Sequence, residues 1–231
     1  MSEQNKPNIK VTLLKYLSEI VIIFLGISMS FWFDEWRNNR KDRETEQIIL
    51  RGVRDNLVRD TLSLRYMMRY GERIIICSNK FLALKDEKEI KDSLDTYLDM
   101  ALTSMAFNAT QTTYEEMKQT GRTSLIQDDT LRKAIIAHYT VVLGYCNEWT
   151  ASTKAHTETQ LMPEMTNYFS VVEDSVRPIP IAQKIEALKY RKLRNILLVN
   201  ILCKKGTLAA YEQTVSRSKK IIARIDKVLK K

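Results

Sequence analysis

His138 and His156 are the only histidines among the 231 residues of this chain, and neither lies at a metal-ligand spacing or beside residues that would complete a catalytic triad. Glu115 and Glu116 could be read as a paired acid and base. Neighbouring positions on a helix are splayed by about 100°, however, so the two carboxylates cannot flank one substrate, and a solvated helix surface is the plainer reading. No phosphate-binding glycine loop, nucleophile elbow or kinase signature occurs. Cys77, Cys146 and Cys203 are far apart, odd in number and free of any C-x-x-C pair, which suits a reducing cytosol better than a disulfide or zinc framework. These residue types point away from an enzyme and imply no metal or organic cofactor.

The chemistry that remains is charge. Between Ile181 and Lys231 there are 14 Lys or Arg against Glu186, Glu212 and Asp226, a net +11 that leaves the rest of the chain at −2 within a total of +9. Arg191, Arg194, Lys204 and Lys205 form one cluster. Lys220, Arg224, Lys227 and Lys231 follow the i, i+4, i+7, i+11 rule and share a helical face. Such a surface neutralises phosphates and so suits an oligonucleotide, single-stranded DNA or anionic lipid, with Tyr190 and Tyr211 available for stacking. A solvated basic face, or salt bridges to the acidic remainder, is the bland alternative. No sequence-specific nucleic-acid motif is present.

A second set of candidates lies near the other end. At 100° per residue, Thr12, Lys15, Glu19, Gly26, Ser30 and Asp34 fall within about a third of a helix circumference. Gly26 and Ser30 make a small-x-x-x-small pair that admits a second helix closely. Glu19 is costly in lipid unless it faces a bundle interior or water. In a ring of copies, Glu19, Gly26, Ser30 and Asp34, with Phe33 at the aromatic exit, would line a pore, Glu19 forming a carboxylate ring that favours cations. The plainer alternative is that Lys15 and Glu19 pair and the helix only anchors.

The element that must carry this stripe is apolar. Val11 to Phe33 is 23 residues with two charges, Lys15 and Glu19. As a helix it would be about 35 Å long, enough for a hydrocarbon core of about 30 Å. The uncharged centre, Ile20 to Phe33, is only 14 residues, so the flanks decide. Lys15 can snorkel at one end, and Phe31, Trp32, Phe33 and Trp36 suit the headgroup layer at the other. No small-residue cleavage site follows, and a removable signal peptide is not expected. Lys6 and Lys10 precede the span whereas Arg37, Arg40, Lys41, Arg43 and Arg51 follow it, which keeps the bulk on the cytoplasmic side. The expected order is an extracytoplasmic tail over 1–10, a transmembrane helix over 11–36, a cytoplasmic helical domain over 37–176 and a basic helical region over 177–231.

Six glycines, four prolines and no sustained alternating pattern predict an all-α chain, a single membrane helix running into a helical bundle. Ile49, Val53, Leu57, Leu64 and Met68 extend the first helix as one rod toward Leu84. Asp34 with Arg37, and Trp36 with Arg40, have the spacing for an ion pair and a cation–π contact. Asp86 is a candidate cap for a helix carrying Ile90, Leu94, Leu98 and Leu102. Gly121 suits a C′ position, and a helix bearing Leu131, Ile135 and Tyr139 starts at Asp128. Pro178 and Pro180 mark a break. Leu208, Tyr211, Val215, Ile222, Ile225 and Leu229 then form a seam for intramolecular packing, with a coiled coil between subunits as the alternative.

Two passages, Ser18 to Gln47 and Thr112 to Tyr139, resemble a family of bacterial single-pass membrane proteins. That family opens with a Glu-Ile-Val membrane helix ending near a Trp and carries a series matched here by Thr113, Tyr114, Glu115, Glu116, Gly121, Leu125, Ile126, Leu131, Arg132 and Tyr139. Within it the chain is most similar to the transmembrane effectors of Hailong-type anti-phage defence. The resemblance implies a homo-oligomeric ion channel, a tetramer being one candidate, whose cytoplasmic helices bind a DNA oligomer made by a partner nucleotidyltransferase. A tethered helical scaffold binding a protein partner or anionic lipid is the alternative expectation.

Overall fold

The computed structural model describes residues 9–84, 94–168 and 185–230, with side chains from residue 19 onward except those of 94 and 95. The described residues are helical with no strand, as the low glycine and proline content predicts. Helix α1 runs over Ile9–Ala83 without a proline, followed by α2 (Leu94–Leu102), α3 (Thr112–Gln119) and a 3₁₀ turn at Arg122–Leu125. A segmented rod follows: α4 (Asp129–Ala137), a π turn at His138–Val142, α5 (Leu143–His156), a second π turn at Thr157–Leu161, and α6 (Met162–Thr166). Helix α7 spans Arg191–Leu229. Asp86, Ile90, Pro178 and Pro180 lie outside the described residues.

The chain divides into two compact units, Met1–Ile48 and Ile49–Lys231. Helix α7 supplies core residues to the second unit throughout its length.

In the first unit α1 is solvent-facing over its apolar run. The most covered large side chain from Ile20 to Phe33 is Val21, still 48% exposed, and Phe31 reaches 72%. Asp34 pairs with Arg37 at 3.1 Å and Arg40 stands over the Trp36 ring at 6.0 Å, as their spacing predicts, and Phe33 also meets Trp36 at 5.7 Å. Among the described residues no helix is long and apolar enough to cross a membrane. The transmembrane helix expected over 11–36 is thus without support from the described residues, in which Glu19 before Ile20 and Asp34 and Glu35 after Phe33 bound an uncharged stretch of 14 residues.

The second unit has two cores. In the larger, Leu50, Val53, Leu57 and Leu64 of α1 pack with Tyr114 and Met117 of α3, Leu131 and Ile135 of α4, Leu143 and Cys146 of α5, and Tyr211, Val215, Ile221 and Ile225 of α7. A fully buried leucine contributes roughly 1.5–3 kcal/mol, so this cluster fixes the fold. The smaller core joins Phe81 and Leu82, Leu98 and Ala101, Leu161 and Met165, and Leu193, Leu197 and Ile201. The α7 seam therefore packs within the chain: Tyr211, Val215 and Ile225 are buried, with Ile222 and Leu229 against them. Ser218, which interrupts it, donates its hydroxyl to Thr214 O at 2.9 Å.

Local signals explain the helix ends. After α3, Thr120 caps and Gly121 takes φ 67°, a left-handed C′ position that a side chain would strain. Asp128 caps α4 by accepting from Leu131 N at 3.0 Å. The π turns follow from register. Leu131, Ile135, Tyr139 and Leu143 are buried at a constant spacing of four, as are Thr153, Thr157, Leu161 and Met165. On an α-helix each such step drifts by about 40°, and a wider π turn takes up the drift so that both runs keep facing the core.

Candidate functional site

Helix α7 begins at Arg191, with Tyr190 extended before it and no side-chain cap. Its buried face is set by Leu193, Leu197, Ile201, Thr207, Tyr211, Thr214 and Ile221 and includes Lys204, while the other basic residues lie on the remaining positions. Arg191, Lys205, Lys220 and Lys227 are exposed, as a phosphate-binding surface requires.

Three other candidates are committed elsewhere. Lys204 is fully buried, and its Nζ donates to Ala101 O at 2.6 Å; burial lowers its ammonium to about 8. It is a core residue tying α7 to the end of α2, and the ligand-binding expectation for it is corrected. Arg194 is half-buried and donates to Leu82 O at 3.1 Å, closing the C-terminal turn of α1. Arg224 grips Asp128 with two bonds of 2.9 Å, one from Nε and one from a terminal nitrogen, and this pairing holds the Asp128 carboxyl below the usual range. The face Lys220, Arg224, Lys227 is therefore interrupted at its centre by an ion pair. Of the aromatics placed among these cations, Tyr190 is 52% exposed and stacks on Tyr168 at 4.8 Å, whereas Tyr211 is in the core.

The structure adds cations that the sequence reading did not single out. Arg217 and Lys219 are exposed on α7, and neither they nor Lys220 has an ion pair among the described residues. Arg217 and Lys220 border a recess of about 160 Å³ between α4, the first π turn and α7, floored by Ala134, Ala137, Val142 and Ile221. An adjoining recess of about 390 Å³ reaches Val141, Tyr145 and Gln213 and shares Arg217. His138 also lines the first recess. It is 2% exposed, and neither ring nitrogen has a hydrogen-bond partner among the described residues. Burial, and then the charge of Arg217, lowers its imidazolium to about 4, so the ring is neutral near pH 7. No sequence motif marks His138, and the π turn that carries it was not expected.

The motif residues that carry the family resemblance are structural. Thr113 Oγ1 accepts from Asn56 Nδ2 at 3.0 Å, Tyr114 stacks on Tyr139 at 4.5 Å, and Ile126 and Leu131 are fully buried. Arg132 pairs with Asp129. Asp60, 2% exposed, accepts from Thr110 N at 3.0 Å, and burial raises its carboxyl. His156 Nδ1 lies 3.4 Å from Asn200 Nδ2, and on α3 Glu115 is half-buried and Glu116 exposed. No group of three or more His, Cys, Asp or Glu among the described residues is arranged for a metal ion. The three cysteines are free.

The pore candidates Glu19, Gly26, Ser30, Phe33 and Asp34 lie along α1 in the first unit, all exposed. A Cβ added at Gly26 would meet nothing within 4 Å. Asp34 is held by Arg37 rather than standing alone. Compared with protein-family profiles, with curated proteins and with solved structures, the chain matches none.

Proposed function

We propose that this chain is a membrane-anchored helical effector whose N-terminal rods assemble from several copies into an ion-conducting bundle, under the control of an anionic oligonucleotide held by the basic helical unit. The observation that carries the reading is the rod from Ile20 to Phe33, where every large apolar side chain described is about half exposed or more. An apolar surface of this extent on a single chain needs cover. Lipid suits it because the side chains are exposed all round the helix rather than along one stripe. With Val11 to Ser18 the apolar sequence reaches 23 residues, about 35 Å as a helix, and the Lys and Arg excess after it favours a cytoplasmic helical unit. Gly26 and Ser30 favour close helix association, and Glu19 would then face the bundle axis. The resemblance to Hailong-type effectors supports both the pore and a nucleotidyltransferase partner that makes the ligand.

Reconstituted liposomes test the reading. Wild-type protein is expected to pass cations, and Glu19→Gln or Gly26→Leu to reduce the flux at least tenfold. Since Gly26 touches nothing within the chain, its loss would report contact between copies. Protein that inserts but never conducts, with or without short single-stranded DNA, contradicts the pore.

One observation favours a second reading, a tethered scaffold for a protein partner. Leu198, Val199 and Leu202 lie on one side of α7 at 46%, 44% and 62% exposure. Under that reading an unrelated membrane helix could replace the rod without loss of activity.

A further inference from the structure

We infer that the row Arg65, Arg69 and Arg73 on the outer face of α1, with Tyr66 and Tyr70 beside it, is a single-strand binding face, in which the guanidiniums take successive phosphates of an oligonucleotide and the phenol rings stack on its bases. The inference rests on the proposal that the basic helical unit holds an anionic oligonucleotide, and it assigns the grip to α1 rather than to α7.

The sequence Arg-Tyr-Met-Met-Arg-Tyr-Gly-Glu-Arg repeats an Arg-Tyr pair at a spacing of four and closes on a third arginine. On a helix this makes two parallel rows, one of guanidiniums and one of phenols, turned about 100° from each other. All three arginines are exposed, and none has a hydrogen bond or ion pair among the described residues. The acids that could neutralise them are engaged elsewhere or fail to reach. Asp55 pairs with Arg54 at 3.4 Å, and Asp60 is buried, accepting from Thr110 N. Glu72 is the one acid between Asp60 and Asp86, and it forms no ion pair with Arg69 three residues before it. Like charges four residues apart oppose the helix that carries them, and an anion laid along the row relieves that repulsion.

Residue type narrows the anion. The six cations from Arg51 to Arg73 are all arginine, whereas α7 carries more lysine than arginine. A face that only solubilises is served as well by lysine; the planar guanidinium adds a two-toothed grip on phosphate or carboxylate. Spacing narrows it further. The three arginines stand about 6 Å apart along the axis, a row of about 12 Å, which suits a repeating anion and exceeds one free phosphate. The aromatic row completes the choice. Tyr66 is 61% exposed, Leu62 one turn before it is 61% exposed, and Tyr70 is half-buried one turn after it. An unstacked strand offers a flat base beside each phosphate, matching rings beside guanidiniums, whereas an acidic peptide offers carboxylates without such bodies. Since α1 is one unbroken helix over Ile9–Ala83, a strand held here lies on the element that carries the proposed pore.

Fluorescence anisotropy on the full chain in detergent, with a short labelled single-stranded DNA and an abasic strand of equal length, tests the face. Wild type is expected to bind the DNA roughly tenfold more tightly than the abasic strand. Arg65→Gln, Arg69→Gln, Arg73→Gln together, on exposed positions where charge removal relieves repulsion, are expected to weaken both strands by about tenfold or more and to lower the salt slope by about three. Tyr66→Ala is expected to weaken the DNA about fivefold while leaving the abasic strand and the salt slope as in wild type. A triple variant that binds DNA as tightly as wild type overturns the inference and leaves the oligonucleotide reading standing, with the strand held on α7. If wild type binds both strands equally and polyglutamate displaces them as readily as unlabelled DNA, the face answers to charge alone, and an acidic protein replaces the nucleic acid as its occupant. If wild type binds neither strand at low salt, the oligonucleotide reading itself fails.

Discussion

Lys204 shows how a residue type can mislead where its position does not. It stands three residues after Ile201 and seven after Leu197, both buried, so helical spacing alone puts it on the inner face of α7. Its ammonium sits below the ordinary value of 10.5, at about 8, because burial disfavours the charge. The unfolded chain therefore binds more protons than the folded one between about 8 and 10.5, and stability from this group rises with pH across that window. Urea unfolding of Lys204→Met is expected to show a smaller gain between pH 8 and pH 10 than wild type; an equal gain contradicts the burial. Asp128 gives the opposite case. Its carboxyl is lowered chiefly by Arg224, so its contribution is present at neutral pH and is lost as the pH falls through its folded value. Asp128→Ala removes the cap of α4 and the pairing with α7 and is expected to cost about 1–2 kcal/mol in urea unfolding at pH 7. A change indistinguishable from zero would mean that neither contact matters. The cap was legible from Asp128 and the periodic residues after it. The ion pair was not, because Arg224 lies 96 residues away and nothing local links the two.

At the scale of the elements, helix content, the single α1 rod, the C′ glycine and the packing of the α7 seam were all legible from breaker frequency and apolar spacing. The π turns were not: Leu131, Ile135 and Tyr139 read as one face of an ordinary helix, and only the burial of Leu143 at the same spacing shows the drift that a π turn takes up. They predict an unusual tolerance. Deleting exposed Thr140 from the first turn converts it to α-helix and leaves both flanking faces in register, whereas deleting exposed Glu148 from α5 rotates everything after it by about 100°. Thermal unfolding should therefore show a smaller loss for the Thr140 deletion, and the reverse order would refute the register account. Close approach of α5 and α7 is set at Gly206, where an added Cβ would overlap the Trp149 ring. Gly206→Ala is expected to cost about 1–3 kcal/mol, read by the same unfolding assay. This contact was invisible beforehand, since a lone glycine inside a helical pattern does not say which neighbour it admits.

Over the whole molecule two properties dominate: an apolar N-terminal run that the first unit leaves uncovered, and a positive surface on α7 that its own ion pairs only partly neutralise. The charge asymmetry was legible from composition, but which cations stay available was not, because Lys204, Arg194 and Arg224 find partners distant in sequence. Everything proposed about ligand control depends on the N-terminal run lodging in a bilayer. Trp32 lies at the C-terminal end of that run and Trp36 just beyond it, and Trp149→Phe leaves them as the only tryptophans in the chain. Quenching of their fluorescence by brominated lipids in reconstituted vesicles is the most direct test. Lodging in lipid predicts strong quenching, greatest for bromines near the headgroups; unquenched emission from protein that stays monomeric in detergent-free buffer would contradict it.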